Sequence, residues 1–203
     1  MNFSHSRVVC RCATAAVALA LLSLFACQSK QETVLTGFIP DFVPLRGAKG
    51  EVQSWVSGTG LRQYRQFFVS PVALAAGVGD GESSEDIAQL QATLSNDINT
   101  AFAATRTAAA VAGPGVLVIN SSISCLKPNN PLLNIAPQTQ MRGRGYGHTC
   151  IEVTFTDGGT GQIVAAYADA DTTQRFSTAK ATKWGSTEAA FTHWAQALAG
   201  LAQ

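Results

Sequence analysis

The chain has 203 residues and a formal net charge of +1, with 13% of its residues charged and 46% hydrophobic. A near-neutral chain of this length holds one domain with a proper core, has too little material for two, and offers no basic excess for gripping nucleic acid. With so few charges, its surface is coated largely with Ser, Thr, Asn and Gln.

Taken in chain order, Arg7 and Arg11 precede an uncharged apolar run, residues 13–26, that ends in Leu24-Phe25-Ala26-Cys27. A positive start, a short apolar run and small residues before a cysteine describe a bacterial export signal. The run is shorter than the roughly 20 residues that cross a bilayer as a helix, and polar Gln28-Ser29-Lys30-Gln31-Glu32 follows at once. The quartet at 24–27 resembles the lipobox of bacterial lipoproteins. That implies cleavage before Cys27, acylation of its sulfur and, with Gln28 rather than Asp after it, an outer-membrane address facing the periplasm. Each buried methylene contributes ~0.8 kcal/mol and stable attachment takes two such signals, which a multiply acylated cysteine supplies. The expected organisation is a signal peptide over 1–26, an acylated tether over 27–36 and a single globular periplasmic domain over 37–203.

Residues 36–45 mix large apolar side chains with Pro40 and Pro44, so this segment is expected to lie extended across the body and bury its aromatics. Phe67, Phe68, Val69 and Val72 mark a first strand within 64–74, placed at an edge or bulged because Pro71 has no N–H for a ladder. Ser83 with Asp86 three positions on has the form of a capping box, and Ile87, Leu90, Leu94, Ile98 and Phe102 recur at helical spacing. The polar face of that helix carries Gln and Asn without the basic residues of an interfacial membrane helix, so it is a core helix. Gly113-Pro114-Gly115 is followed by an apolar run from Val116 that fits a central strand reaching toward Cys125. A long glycine-rich connection over 132–148 follows. Ile151, Val153 and Phe155 alternate with Glu152, Thr154 and Thr156 as a strand with one wet face, and residues 163–168 return beside it, with Gly161 at a left-handed turn position. A second helix is expected with Ser186 as its cap and Phe191, Trp194, Leu198 and Leu201 on one face. This order gives an α/β (α+β) fold, a small mixed sheet of about four strands with two helices packed on one face of a single domain.

Cys10 and Cys12 leave with the signal and Cys27 is acylated, so Cys125 and Cys150 are the thiols left in an oxidising compartment, where two cysteines usually pair. If the strand ending near Cys125 runs antiparallel to the one beginning at Cys150, the sulfurs fall at the same end of the sheet. The bond would constrain the unfolded chain by roughly 3 kcal/mol; two buried free thiols packing as small apolar groups are the alternative.

Catalytic patterns are weak. Gly77, Gly79 and Gly81 before a helix look like a phosphate cradle, but Asp80, Glu82, Glu85 and Asp86 would repel phosphate, and their spacing does not follow a calcium loop. No His or Cys stands at ligand spacing from His148 or His193, so no metal site and no cofactor are expected. No Gly-x-Ser-x-Gly elbow occurs. Asp169 and Asp171 share a strand face as a glycosidase pair does, and are read instead as charges that keep an exposed face or edge soluble. Arg142, Arg144, Tyr146 and His148 in the glycine-rich connection make it the candidate loop for a partner or an anionic ligand.

Thr36-Gly37-Phe38 with Asp41, the strand from Tyr64, Gly113-Pro114-Gly115-Val116-Leu117, Asn130-Pro131-Leu132-Leu133-Asn134 and Lys183-Trp184-Gly185 with Glu188, Phe191 and Trp194 occur in an order found in one family. In these pieces the chain resembles the bacterial lipoproteins grouped as domain of unknown function 3313. The resemblance implies no activity and no catalytic residues. The reading is a non-enzymatic, lipid-anchored module of the outer membrane, held there through Cys27 and acting by contact with an envelope protein. Its alternative is a periplasmic carrier of a small lipid or glycan with 132–148 as a lid.

Overall fold

A computed structural model of the chain describes residues 33–47, 52–58, 60–133, 145, 147–172 and 178–203. The export-signal and acylation positions, Cys27 among them, lie outside the described residues, as do Arg142, Arg144 and Tyr146. The elements run β1 (Gln53–Val56), β2 (Gln66–Val69), β3 (Ala73–Leu74), α1 (Ser84–Ala103), β4 (Thr107–Ala108), β5 (Val116–Lys127), β6 (His148–Asp157), β7 (Ile163–Thr172), a 3-10 turn (Thr178–Ala181) and α2 (Gly185–Leu201). The strands form one mixed sheet in the order β1-β7-β6-β5-β2-β4, with β3 also on β5. β5, β6, β7 and β1 are antiparallel neighbours; β2 and β3 run parallel to β5, and β4 parallel to β2.

The expected fold class holds, with seven strands rather than four. The extra strands have two to four residues, too short for alternation to show in a sequence. Residues 64–74 supply two of the seven, because the ladder along β5 is interrupted where Pro71 has no N–H to give.

Alternation decides which side chains of the sheet meet the helices. Leu117, Ile119 and Ile123 on β5, Ile151, Val153 and Phe155 on β6, and Ala165 and Tyr167 on β7 meet the stripe Leu90, Leu94, Ile98 and Phe102 of α1 and Phe191, Trp194 and Leu198 of α2. Phe102 lies between the rings of Phe67 and Phe155, 5.6 and 6.1 Å away. Burying the four side chains of the α1 stripe stabilises the fold by roughly 6 to 12 kcal/mol as an upper bound. Ser83 accepts the Asp86 N–H at 3.1 Å, so the expected cap is in place. Arg106, just past α1, donates to the carbonyls of Tyr64 and Ala202 and lies over the Phe102 ring, which ties the C-terminus to the β2 side; burial lowers its pKa. The second helix differs from expectation. It begins at Gly185 with no side-chain cap, since the Ser186 hydroxyl is used elsewhere.

The opposite face of the sheet carries the small residues Ala166 and Ala168 of β7, which let a second layer of chain lie close. Residues 36–46 cross it as a strap from β6 to the edge beyond β1, where Arg46 pairs with Ser54. Ile39 and Val43 are its buried residues, with Phe38, Leu45 and Trp55 around them. Its aromatics are not all buried as expected: Phe42 is 78% exposed. Val43 N–H bonds Pro40 C=O at 2.9 Å, so Asp41 and Phe42 occupy the middle of a turn and project outward.

Candidate functional site

Chemistry-bearing side chains gather at the end of the sheet where β5 stops and β6 starts. Between Ile123 and Cys125 the β5 register slips against β6. In an unbroken ladder Ser124 would face Cys150. The extra residue moves Cys125 to that position and turns its side chain to the strap-side face, the one on which Cys150 lies. The two are joined as a disulfide with Cα atoms 4.8 Å apart.

His148 precedes Cys150 by two residues on β6 and so shares its face. Its Nε2 is 3.4 Å from Cys150 Sγ and its Nδ1 is 3.2 Å from the Asp171 carbonyl oxygen. A carbonyl only accepts, so Nδ1 carries the proton and the Nε2 lone pair faces sulfur. Burial lowers the pKa of this imidazole, partly offset by the Asp171 carbonyl. Contrary to the expectation that no Cys stands at ligand spacing from His148, two residues on a strand is one step along a face, and the bulge adds Cys125.

Next to this group, Asn129 holds both ends of the glycine-rich connection to the start of α2. Its Oδ1 accepts the Gly147 N–H and the Ser186 hydroxyl, each at 2.7 Å, and its Nδ2 donates to the carbonyls of Thr182 and Ala179 at 2.9 and 3.3 Å. Asn130 N–H bonds Gly145 C=O at 2.9 Å. A Cβ on Gly185 would meet Ala179 O and Thr182 Oγ1, and one on Gly147 would meet Ser186 Oγ, so both glycines are needed for close approach.

Asp169 is buried, not a solubilising edge charge. Its Oδ2 accepts from Trp194 Nε1 at 2.9 Å and Tyr167 OH at 3.0 Å, and its Oδ1 accepts the Ala170 N–H at 2.8 Å. Burial, and then the Asp169 charge, raise the Tyr167 pKa. Thr149 and Thr187 share a buried hydroxyl bond of 2.8 Å beside them. His193 is exposed on α2, so the structure does not assemble it with Asp169 as a hydrolytic group. Two of the acids at the glycine turn are paired: Lys183 Nζ lies 2.6 Å from Glu82 and 2.7 Å from Asp86, over the Trp184 ring.

Sequence reasoning missed one buried carboxylate altogether. Glu152, expected on a wet face, is 0% exposed. Its Oε1 accepts Thr36 N–H at 2.8 Å and Thr36 Oγ1–H at 2.6 Å, and its Oε2 accepts Ile39 N–H at 3.2 Å. Gly37, between them, turns at φ +88°. The available signal was Glu152 standing beside the alanines of β7, since a carboxylate on so small a surface calls for donors from another segment.

The sequence model of the family described as "Protein of unknown function (DUF3313)" matches residues 36–198, from the clamped Thr36 almost to the end of α2. The chain belongs to DUF3313. The segments that carry the DUF3313 resemblance are those that hold the layers together: Thr36 on Glu152, Tyr64 OH on Asp157 at 2.8 Å, Gly113-Pro114 against the β6–β7 turn, Asn130 on Gly145, and Lys183 on α1. Burial, then the Asp157 carboxylate, push the Tyr64 pKa up to about 12. No match is found among curated protein sequences. Among solved structures, this DUF3313 chain is similar to the PelC dodecamer from Paraburkholderia phytofirmans, at 11% identity and TM-score 0.48 over 75% of this chain and 96% of that one. It is also similar to a hypothetical protein from Chlamydia trachomatis, at 12% identity and TM-score 0.44 over 68% and 98%. A third is a minor lipoprotein from Acinetobacter baumannii, at 11% and 0.34 over 68% and 91%. Among the described residues no helix is long and apolar enough to cross a membrane.

Proposed function

We propose that this chain is a lipid-anchored envelope module that works by contact at the outer membrane and not by catalysis. The observation that carries the reading is the Glu152 clamp, which seizes the chain at Thr36, nine positions after the acylation candidate Cys27. Nine residues span at most about 32 Å fully extended, so an acyl anchor at Cys27 would keep the domain within about a domain's diameter of the bilayer. The buried carboxylates Glu152 and Asp169 and the half-buried Arg106 support a non-catalytic role, because each is taken up by the chain's own donors or carbonyls. Val34 and Leu35, just before the clamp, and Phe42 on the strap leave apolar surface on the segment nearest the anchor.

The test is labelling of the full chain with a fatty acid in cells, followed by membrane fractionation. The expected result is label on the wild type in the outer-membrane fraction, and an unlabelled Cys27→Ser chain no longer found there. A wild-type chain that carries no fatty acid, or that fractionates as Cys27→Ser does, refutes the reading.

A further inference from the structure

We propose that Cys125, Cys150 and His148 form a redox-gated site for a single soft metal ion, closed while the disulfide stands and opened by its reduction. Three observations converge. The possible ligand atoms of the three residues all lie within 4.8 Å of one another. They come from two paired strands of the central sheet, so the backbone that brings them together is held by β5–β6 and β6–β7 ladders on both sides of β6, and not by the disulfide alone. The imidazole is also already oriented: Nδ1–H is spent on the Asp171 carbonyl, and the Nε2 lone pair points at Cys150 Sγ. A backbone carbonyl on the far nitrogen is one of the arrangements by which metal-binding histidines are fixed. In the disulfide state no hydrogen bridges Nε2 and sulfur; the hydrogen bond that orients the ring is the one to the Asp171 carbonyl.

A dithiol donor gives two electrons and two protons to the Cys125–Cys150 bond and itself becomes a disulfide; one thiol forms on each cysteine. Metal binding then displaces those two protons, leaving two thiolates and a neutral imidazole on the ion. Thiolate with imidazole suits Zn²⁺ or Cu⁺, with metal–sulfur distances of about 2.3 Å in the zinc case. The sulfurs must separate to embrace the ion, which side-chain rotation on paired strands allows. Three protein ligands leave one position of a tetrahedral ion open to water or to a partner's ligand. The site is independent of the anchor, so its failure would leave the envelope reading untouched.

The experiment uses the full chain in detergent, reduced and then freed of reductant without air. Co²⁺ is the probe, read by its thiolate charge-transfer absorption, with Zn²⁺ as competitor. The expected result is one Co²⁺ per reduced chain, displaced by Zn²⁺, no absorption from the oxidised chain, and loss of the signal in Cys150→Ser. Losing a direct ligand should weaken binding by more than the roughly tenfold lower limit typical of second-layer changes, so His148→Gln should bind over tenfold more weakly. Cadmium NMR of the reduced wild type reads the two-sulfur, one-nitrogen set without any substitution. The proposal is overturned if reduction unfolds the domain by circular dichroism, or if the reduced folded chain shows no band. It is equally overturned if the band survives Cys150→Ser, or if cadmium NMR shows no nitrogen ligand and His148→Gln binds as tightly as the wild type.

Discussion

Glu152→Gln is the substitution that tests the strap most directly, because it keeps the side chain's size and removes its charge. The carboxylate accepts three hydrogen bonds from the strap, two on Oε1 and one on Oε2. Hydrogen bonds to a charged group contribute about 1.5 to 3 kcal/mol each. A glutamine keeps one oxygen but turns an NH₂ toward an N–H, so one to two of these bonds are lost, which is about 1.5 to 6 kcal/mol against opening of the strap. At 1.36 kcal/mol per factor of ten, amide exchange at Thr36 and Ile39 should accelerate by about 10- to 30,000-fold. The assay is hydrogen exchange resolved to those amides, with urea unfolding for the whole domain. In a cycle with Thr36→Val the two changes should be strongly non-additive, since they remove the same 2.6 Å bond. Exchange at Thr36 and Ile39 within about threefold of wild type, or additivity within about 0.5 kcal/mol, would refute the clamp.

Asn129→Ala removes four side-chain hydrogen bonds from a buried junction and should cost about 3 kcal/mol or more in urea unfolding, with the start of α2 losing exchange protection first. Replacing Cys125 and Cys150 together by Ala should lower stability by about 3 kcal/mol for the 25-residue closure, measured as a shift in urea midpoint against the oxidised wild type. Hydrogen bonding to Lys183 first, and to Trp184 second, holds the Asp86 pKa below its ordinary 3.8. Its contribution is therefore present above that value and disappears as pH falls through the folded-state pKa. Melting curves should show the wild type losing more stability between about pH 5 and about pH 2 than Asp86→Asn, and equal losses would remove the pair from the account.

What the sequence discloses here is whatever repeats. Leu90, Leu94, Ile98 and Phe102 show their shared face by spacing, Ser83 shows its cap by position, and Ile151, Val153 and Phe155 show a strand by alternation. Alternation says which side chains share a face and nothing about what lies over the other one, so Glu152 looked wet and Phe42 looked buried. The candidate site depends on single events that leave no period. One extra residue at Ser124 decides which way Cys125 points. Asn129 sits in a proline-flanked stretch that reads as punctuation, although its amide joins segments far apart in the chain. The loop arginines stood out by composition alone; of that group, His148 has a described place, on the face of Cys150.

The short outer strands bear on how the molecule behaves when crowded. β4 offers two residues, and beyond it Pro71 and the Gln91 amide bound to the Val72 carbonyl interrupt the row of free backbone groups; at the other border, Arg46 already occupies Ser54 of β1. Among the described residues, neither margin presents an extended template onto which a neighbour's strand could zip. Copies concentrated on a surface would therefore stay distinct folded bodies, resistant to fibrous polymerisation, and any ordered array would have to be knit by side chains.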